Sequence, residues 1–339
     1  RASRTCLVKA PAVPLIARVF SALSGGEFTS GEALAESLGV SRSAVWKAAG
    51  ALKDLGATLH AVRNRGYRLV AGGEPLDAAR IRARLPREME RRVSQLEVAW
   101  SVTSTNTVLL SRPNPPTGFA EVLLAEYQTQ GRGRRGRAWI APPGGAICLS
   151  LSWTFQQPPE DLGALGLAVG VCTLRALKEF DLPQVSLKWP NDILIDERKL
   201  AGILIDLRAE GAGPACVVIG LGLNVALGSA LLKKIAATGL PATDLVTAGM
   251  ERPCRNSLTA AVVAALLRGL PEFERQGLRP FVEEWRGADV LHGRAVDVHA
   301  ADGIARGFAR GVDVHGALLI ETAQGVRRFM SGDVTVRRA

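Results

Sequence analysis

The sequence is poor in the residues that build disulfide frameworks and metal centres. Its five cysteines (Cys6, Cys148, Cys172, Cys216 and Cys254) are scattered, odd in number and never spaced Cys-x-x-Cys. That excludes a disulfide scaffold and a zinc site of the usual spacing. The four histidines, His60, His292, His299 and His315, are equally dispersed, so each reads as structural or exposed and no metal site is expected. Nowhere do 18 apolar residues follow one another, and no membrane span is expected. The longest candidate, Leu162 to Leu177, is rich in Gly and Ala and reads as a buried helix. Arg1 to Leu23 lacks acids, but Pro11, Pro14 and Arg18 interrupt any signal-peptide core. A reducing, cytoplasmic setting is the expectation.

What is present is a basic chain with ample core. At 339 residues, 47% hydrophobic and 22% charged, it should form two or three packed domains. A net charge of +10 favours acidic partners without choosing among nucleic acid, nucleotide and protein. The excess is uneven: residues 1–72 hold ten Lys and Arg against four Asp and Glu, leaving 32 against 28 for the rest.

That basic first fifth reads as a winged helix. Residues 15–23 suit a short amphipathic helix, and Ser30 to Gly39 a second that stops at glycine. Ser41 is a good N-cap for a third helix, Arg42 to Leu55. Helix, glycine turn, helix is the helix-turn-helix arrangement, whose second helix offers its N-terminal residues to base edges. Here these are Ser41, Arg42, Ser43 and, one turn on, Trp46 and Lys47. Thr58 to Leu69, turning at Asn64-Arg65-Gly66, reads as a hairpin, or wing. Arg63, Arg65 and Arg68 would meet phosphates there. The competing reading is a small helical domain that packs on the rest of the chain. Gly72-Gly73-Glu74-Pro75 reads as the linker, giving domains of 1–72, 73–286 and 287–339.

The next signal is Gly131-Arg132-Gly133-Arg134-Arg135-Gly136-Arg137, four guanidiniums and three glycines in seven residues. Arginine forks match phosphate and carboxylate oxygens, and glycine lets the backbone come close. The loop reads as a flexible anion cradle; a solvated basic surface loop is the alternative. Its spacing fits Gly-x-Gly-x-x-Gly. A strand precedes it (Glu121 to Tyr127), but Ala138 to Gly145 is too full of Pro and Gly to open the helix a dinucleotide fold needs. Ser104-Thr105-Asn106 follows the strand Leu96 to Val102, where a helix should begin, and either caps it or meets an oxygen-rich ligand. Gln128 points into the same site or lies on a sheet edge. Lys188-Trp189-Pro190-Asn191-Asp192 reads as the turn of a hairpin, since Pro190 holds Trp189 extended. Arg198 to Ile205 adds a strand in which Gly202 permits close approach. Cys216 to Asn224 is a buried strand with Gly220 and Gly222 opening room for a ligand.

In this order, Glu126-Tyr127-Gln128 with the Arg/Gly loop, Lys188 to Asp192, Arg198 to Gly202 and Gly220 to Asn224 resemble biotin protein ligase. With the winged helix in front, they resemble its bifunctional class, which also represses biotin genes. The resemblance runs from about residue 15 to the C-terminus. It implies a multidomain α/β fold: a winged helix-turn-helix, a central mixed-sheet α/β domain related to class II synthetases, and an SH3-like β-barrel. The tail fits, with short strands at Arg294–Val298, Ala305–Val314, Ala317–Glu321 and Val326–Phe329 after a helix over Pro280–Arg286.

The implied reaction makes biotinyl-5′-AMP from biotin and Mg-bound ATP, then transfers biotin to a lysine of biotin carboxyl carrier protein, an acetyl-CoA carboxylase subunit. Lys188 and Arg134 are the expected catalytic cations. Ser104, Thr105, Asn106, Gln128, Arg132, Gly133, Gly202, Gly220 and Gly222 join them around biotin. Gly131, Arg132, Arg134, Arg135, Trp139, Lys188, Asn191 and Asn224 are expected around ATP. The resemblance also implies operator DNA as a partner and a homodimer favoured by the adenylate. The chain departs from members that carry a Trp over the adenine after the Gly-x-Gly-x-Asn strand: Leu240 to Leu245 stands there instead. Rival readings are a lipoate-protein ligase, a biotinyl-adenylate-sensing repressor without turnover, and a ligase whose winged helix is vestigial.

Overall fold

The computed structural model describes residues 13–70, 74–209, 214–237, 241–300, 303–330 and 332–336. Cys6, Pro11, the linker glycines Gly72 and Gly73, and Leu240 lie outside these. The chain divides into two compact units, Arg1–Val70 and Ala71–Ala339.

In the first unit, α1 (Leu15–Leu23), α2 (Gly31–Leu38) and α3 (Arg42–Asp54) precede a hairpin of β1 (Leu59–Val62) and β2 (Gly66–Leu69). Local chemistry sets each boundary. Ser30 Oγ accepts from Ala33 N at 3.0 Å, Gly39 ends α2 at φ 65°, and Ser41 Oγ accepts from Ala44 N at 3.2 Å. Apolar residues at helical spacing (Val19, Phe20, Leu23, Leu34, Val45 and Leu52) then close one small core. The wing turns through Asn64 and Gly66 at positive φ. Gly66 is required there, because a Cβ would lie 2.0 Å from the Thr29 carbonyl oxygen. Thr29 and Tyr67 exchange backbone hydrogen bonds at 2.9 Å, which ties the wing to the chain ahead of α2.

The second unit opens with α4 (Ala78–Arg82) and α5 (Arg87–Glu90), then β3 (Val93–Val102), α6 (Thr105–Leu110), β4 (Ala120–Gln128), β5 (Ala146–Phe155) and α7 (Leu165–Leu177). β6 (Val185–Lys188), β7 (Asp192–Ile195), β8 (Arg198–Ala209) and β9 (Ala215–Asn224) follow, then α8 (Ser229–Ala236), α9 (Arg255–Gln276) and α10 (Val282–Gly287). Seven strands form one mixed sheet in the order β3-β4-β5-β9-β8-β7-β6. Only β3 and β4 run parallel; the other neighbours are antiparallel.

Strand alternation sorts the two faces of this sheet. Val122, Leu124, Leu149, Leu151, Trp153, Val217, Ile219 and Leu221 belong to the main core with α7 and α9. The alternate residues Leu123, Cys148, Ser150, Val218, Gly220 and Gly222 face the other way. There Leu123 and Val218 pack under Leu109 of α6.

The chain ends in β10 (Ala295–Ala300), β11 (Gly303–Val312), β12 (Leu318–Thr322), β13 (Gly325–Phe329) and β14 (Asp333–Val336), an antiparallel sheet in the order β13-β12-β11-β10-β14. Among the described residues β13 and β14 are its edges, so the expected SH3-like barrel is an open five-stranded sheet. Val296, Val298, Leu318 and Ile320 share the central core, and Trp189 Nε1 donates to the Gly316 carbonyl at 3.1 Å. No described helix is long and apolar enough to cross a membrane.

Candidate active site

The second sheet face forms the floor of a cavity of about 640 Å³. Register explains why it is hollow. Cys148, Gly222 and Gly202 stand in one row across β5, β9 and β8, and Ser150, Gly220 and Leu204 in the next. Small side chains in adjacent rows leave a trough. A Cβ on Gly220 would lie 2.4 Å from Asn106 Oδ1, and one on Gly222 would lie 2.3 Å from Trp139 Cε2. The glycine room is therefore occupied by the Asn106 amide and the Trp139 indole.

A polar chain crosses one end of the trough. Gln128 Oε1 accepts from Thr105 N at 2.8 Å and from Thr105 Oγ1 at 3.2 Å. Ser150 Oγ lies 2.7 Å from Thr105 Oγ1 and also bonds Asn106 Oδ1. Asn106 Nδ2 donates to Asp206 Oδ2 at 2.9 Å, and Arg132 Nη2 reaches that same oxygen at 3.4 Å. Ser104 is the N-cap residue of α6 but makes no side-chain cap bond; of its two readings, capping is not realised. Gln128 reaches inward: it lines the cavity and holds Thr105.

Cations gather at the other end. The Arg/Gly segment folds back on itself: Gly133 N donates to Arg137 O at 2.7 Å and Trp139 N to Gly131 O at 2.8 Å. Arg135 and Gly136 turn at positive φ. Gly131 has no alternative, since a Cβ would lie 2.4 Å from the Trp139 carbonyl oxygen. No helix follows, as the Pro and Gly content predicts. Arg134 Nη1 donates to Asn191 Oδ1 at 3.1 Å, while Asn191 Nδ2 donates to Ile203 O at 2.7 Å. Lys199 Nζ lies 2.5 Å from Asp192 Oδ1 and 5.9 Å from the Trp139 ring centre. Lys188, at the end of edge strand β6, lines the same space, as do Arg137 and Lys234. Burial pushes the Cys148 thiol up to about 11, which leaves it protonated and unsuited to covalent catalysis. Among the described residues no three His, Cys, Asp or Glu gather as a metal set.

This site has relatives. Residues 98–224 match the Biotin/lipoate A/B protein ligase family, residues 291–337 the Biotin protein ligase C terminal domain, and residues 19–68 an HTH domain. The chain is 36% identical to the bifunctional ligase/repressor BirA of Salmonella typhimurium, over 98% of this chain and 100% of that protein. The BirA family includes this chain. Its Escherichia coli member is 35% identical, over 96% of this chain and 98% of its own. The biotin protein ligase of Aquifex aeolicus, solved with biotin and ATP, superposes with a TM-score of 0.60 at 27% identity, covering 73% of this chain and all of that one.

Around the trough stand Ser104, Thr105, Asn106, Gln128, Arg132, Gly133, Arg134, Trp139, Lys188, Asn191, Gly202, Gly220, Gly222 and Asn224. Gly131 and Arg135 do not line it. Asn224 Nδ2 is committed to Thr243 O at 3.0 Å and Lys199 O at 3.3 Å. Sequence reasoning passed over Ser150, Asp206 and Lys199. Lys199 was legible as a second lysine, three residues before Gly202 in the Arg198 to Gly202 run; Ser150 looked like any serine in an apolar strand.

In the first unit, Ser41 at the N-cap of α3 and Arg42, Ser43, Trp46 and Lys47 on it are exposed, as are Arg63 and Arg65 on the wing. Arg42 pairs with Glu32 of α2 at 2.8 Å. The guanidiniums of Arg65 and Arg68 lie 4.4 and 4.8 Å from the Phe28 ring centre, which orients two cations on one aromatic platform.

Proposed function

We propose that the chain is an ATP-dependent biotin protein ligase whose N-terminal unit binds operator DNA, and that the trough holds biotin and ATP end to end. The observation that carries this reading is the joining of a hydrogen-bonded chain of hydroxyl and amide groups and a cationic cluster in one cavity large enough for both. Ser104, Thr105, Asn106 and Gln128 suit the ureido and carboxylate groups of biotin. Arg132 and Gly133 close over it, and Gly202, Gly220 and Gly222 let Lys199, Asn106 and Trp139 seat close against the sheet around it. Trp139 suits the adenine face. Arg134, Lys188 and Asn191 suit the phosphates, with Gly131, Arg135 and Asn224 shaping the loop and strand end behind them.

The chemistry accounts for the cations. The biotin carboxylate attacks the α-phosphorus of Mg-bound ATP; a new O–P bond forms and the bond to pyrophosphate breaks. Two anions repel as they approach, so catalysis needs positioning and positive charge. Lys188 and Arg134 supply it, and we add Lys199, poised against Asp192 at the trough wall. The ε-amine of a carrier lysine then attacks the biotinyl carbonyl carbon, AMP leaves and the nitrogen loses a proton. The carrier is a biotin carboxyl carrier protein. β8 residues beyond Gly202 have β9 on one side and, among the described residues, no strand on the other. Such an edge suits pairing with a second copy, which supports a homodimer favoured by the adenylate.

Pyrophosphate release from Mg-bound ATP without a carrier tests the first step. Release driven by biotin and not by lipoate is expected; preference for lipoate would overturn the reading.

A further inference from the structure

The outward face of α3 sets a large apolar side chain beside a missing one. Ser43, Trp46, Lys47 and Gly50 share that face through spacings of three, four and seven, and all four are exposed. Val45, Ala48, Ala49 and Leu52 hold the opposite face in the core. Trp46, 66% exposed, is the most exposed large hydrophobic among the described residues. Gly50 sits inside the helix, where glycine is among the poorest formers. A Cβ there would meet nothing within 4 Å, and its φ is not positive. Nothing inside the protein calls for a glycine at that position. A surface approaching from outside explains both features, one as area to be covered and the other as clearance.

Charge indicates which surface. Residues 1–72 hold ten Lys and Arg against four Asp and Glu, and Arg42, Lys47, Arg63 and Arg65 surround this face or stand on the wing. Resting on the DNA-binding reading of the unit, we propose that Trp46 reads thymine. Its indole would cover the C5-methyl group in the major groove, while Gly50 lets the groove wall come close to the helix. Thymine alone presents a methyl there, and the broad apolar face of an exposed indole can cover it. The exposed Arg42–Glu32 pair is weak, so Arg42 can exchange Glu32 for a phosphate.

The test begins with duplexes enriched from a random-sequence library on the full chain with biotin and Mg-bound ATP. An enriched duplex is then remade with uracil in place of thymine, one position at a time. The wild type should lose about fourfold in affinity for each methyl removed beneath Trp46. Trp46→Ala should bind thymine and uracil duplexes alike, and Trp46→Leu should keep part of the preference. Gly50→Ala should raise the melting temperature of the first unit yet weaken duplex binding about tenfold. Equal wild-type affinity for thymine and uracil duplexes at every position overturns the proposal and leaves DNA binding standing. Gly50→Ala binding like the wild type removes the clearance role. If no duplex is enriched, the DNA-binding reading falls, and this proposal with it.

Discussion

Glu126→Gln should cost the second unit more than any exposed substitution. Glu126 lies on β4, two residues before Gln128, and its Oε2 is 2.9 Å from Nη1 of Arg255, whose side chain is 0% exposed. Glu126 also accepts from Leu76 N at 2.7 Å and Gly144 N at 3.3 Å. Arg255 in turn donates to Glu74 O at 3.0 Å and Ala146 O at 2.7 Å. The glutamine keeps shape and an acceptor but leaves a buried guanidinium without its counter-charge. Removing one partner of a buried pair costs about 3–5 kcal/mol. The two carbonyl bonds that Arg255 keeps put this case near the lower end. For a unit of this size each kcal/mol moves the melting temperature by about 2–4 °C, so a drop of roughly 10 °C is expected by calorimetry. Glu126→Gln with Arg255→Met removes both charges and should recover part of the loss, because apolar replacement of a buried pair is often neutral. A single-variant drop below about 2 °C, or a double variant worse than the single, would mean that Arg255 does not depend on Glu126 for its counter-charge.

Other expectations are equally direct. Gly220→Ala places a methyl 2.4 Å from Asn106 Oδ1 and should raise the biotin KM about tenfold or more, with a fall of a few degrees in melting temperature as the buried amide shifts. Lys199→Gln removes the cation beside Asp192 and should slow biotin-dependent pyrophosphate release by about a hundredfold, with kcat falling more than KM rises. Burial pushes the Asp289 carboxyl up to about 6, and its Oδ2 has no hydrogen-bond partner. The folded state therefore favours the protonated acid; that contribution is complete below the unfolded value near 4 and is lost as pH rises to about 6. Asp289→Asn should gain on the order of 2 kcal/mol at pH 7.5 and nothing near pH 3.5, read from denaturation at both.

The readable parts of this fold were those with strong local chemistry. Ser30, Gly39 and Ser41 mark helix boundaries by their own side chains or absence of one, and the structure uses them so. The lone lysine before Trp189-Pro190 marked a hairpin that the structure contains. Long-range packing was less readable. α9 starts at Arg255, a buried arginine that serves the core through Glu126, and its middle, Leu258 to Leu267, is buried nearly all round rather than along one stripe. β14 is a short strand that pairs with β10, far away in sequence. The trough itself depends on register between β5, β9 and β8, so Ser150 and Asp206 gained meaning only when the rows were aligned.

In the proposed mechanism one trough both activates biotin and passes it on. Transfer of labelled biotin, with Mg-bound ATP, to the lysine of a purified biotin-carrier domain tests it most directly, with lipoate alongside and Lys188→Ala as the variant. Transfer from biotin that the variant abolishes is expected. Tight retention of biotinyl-5′-AMP without transfer, or transfer that survives Lys188→Ala unchanged, would contradict it.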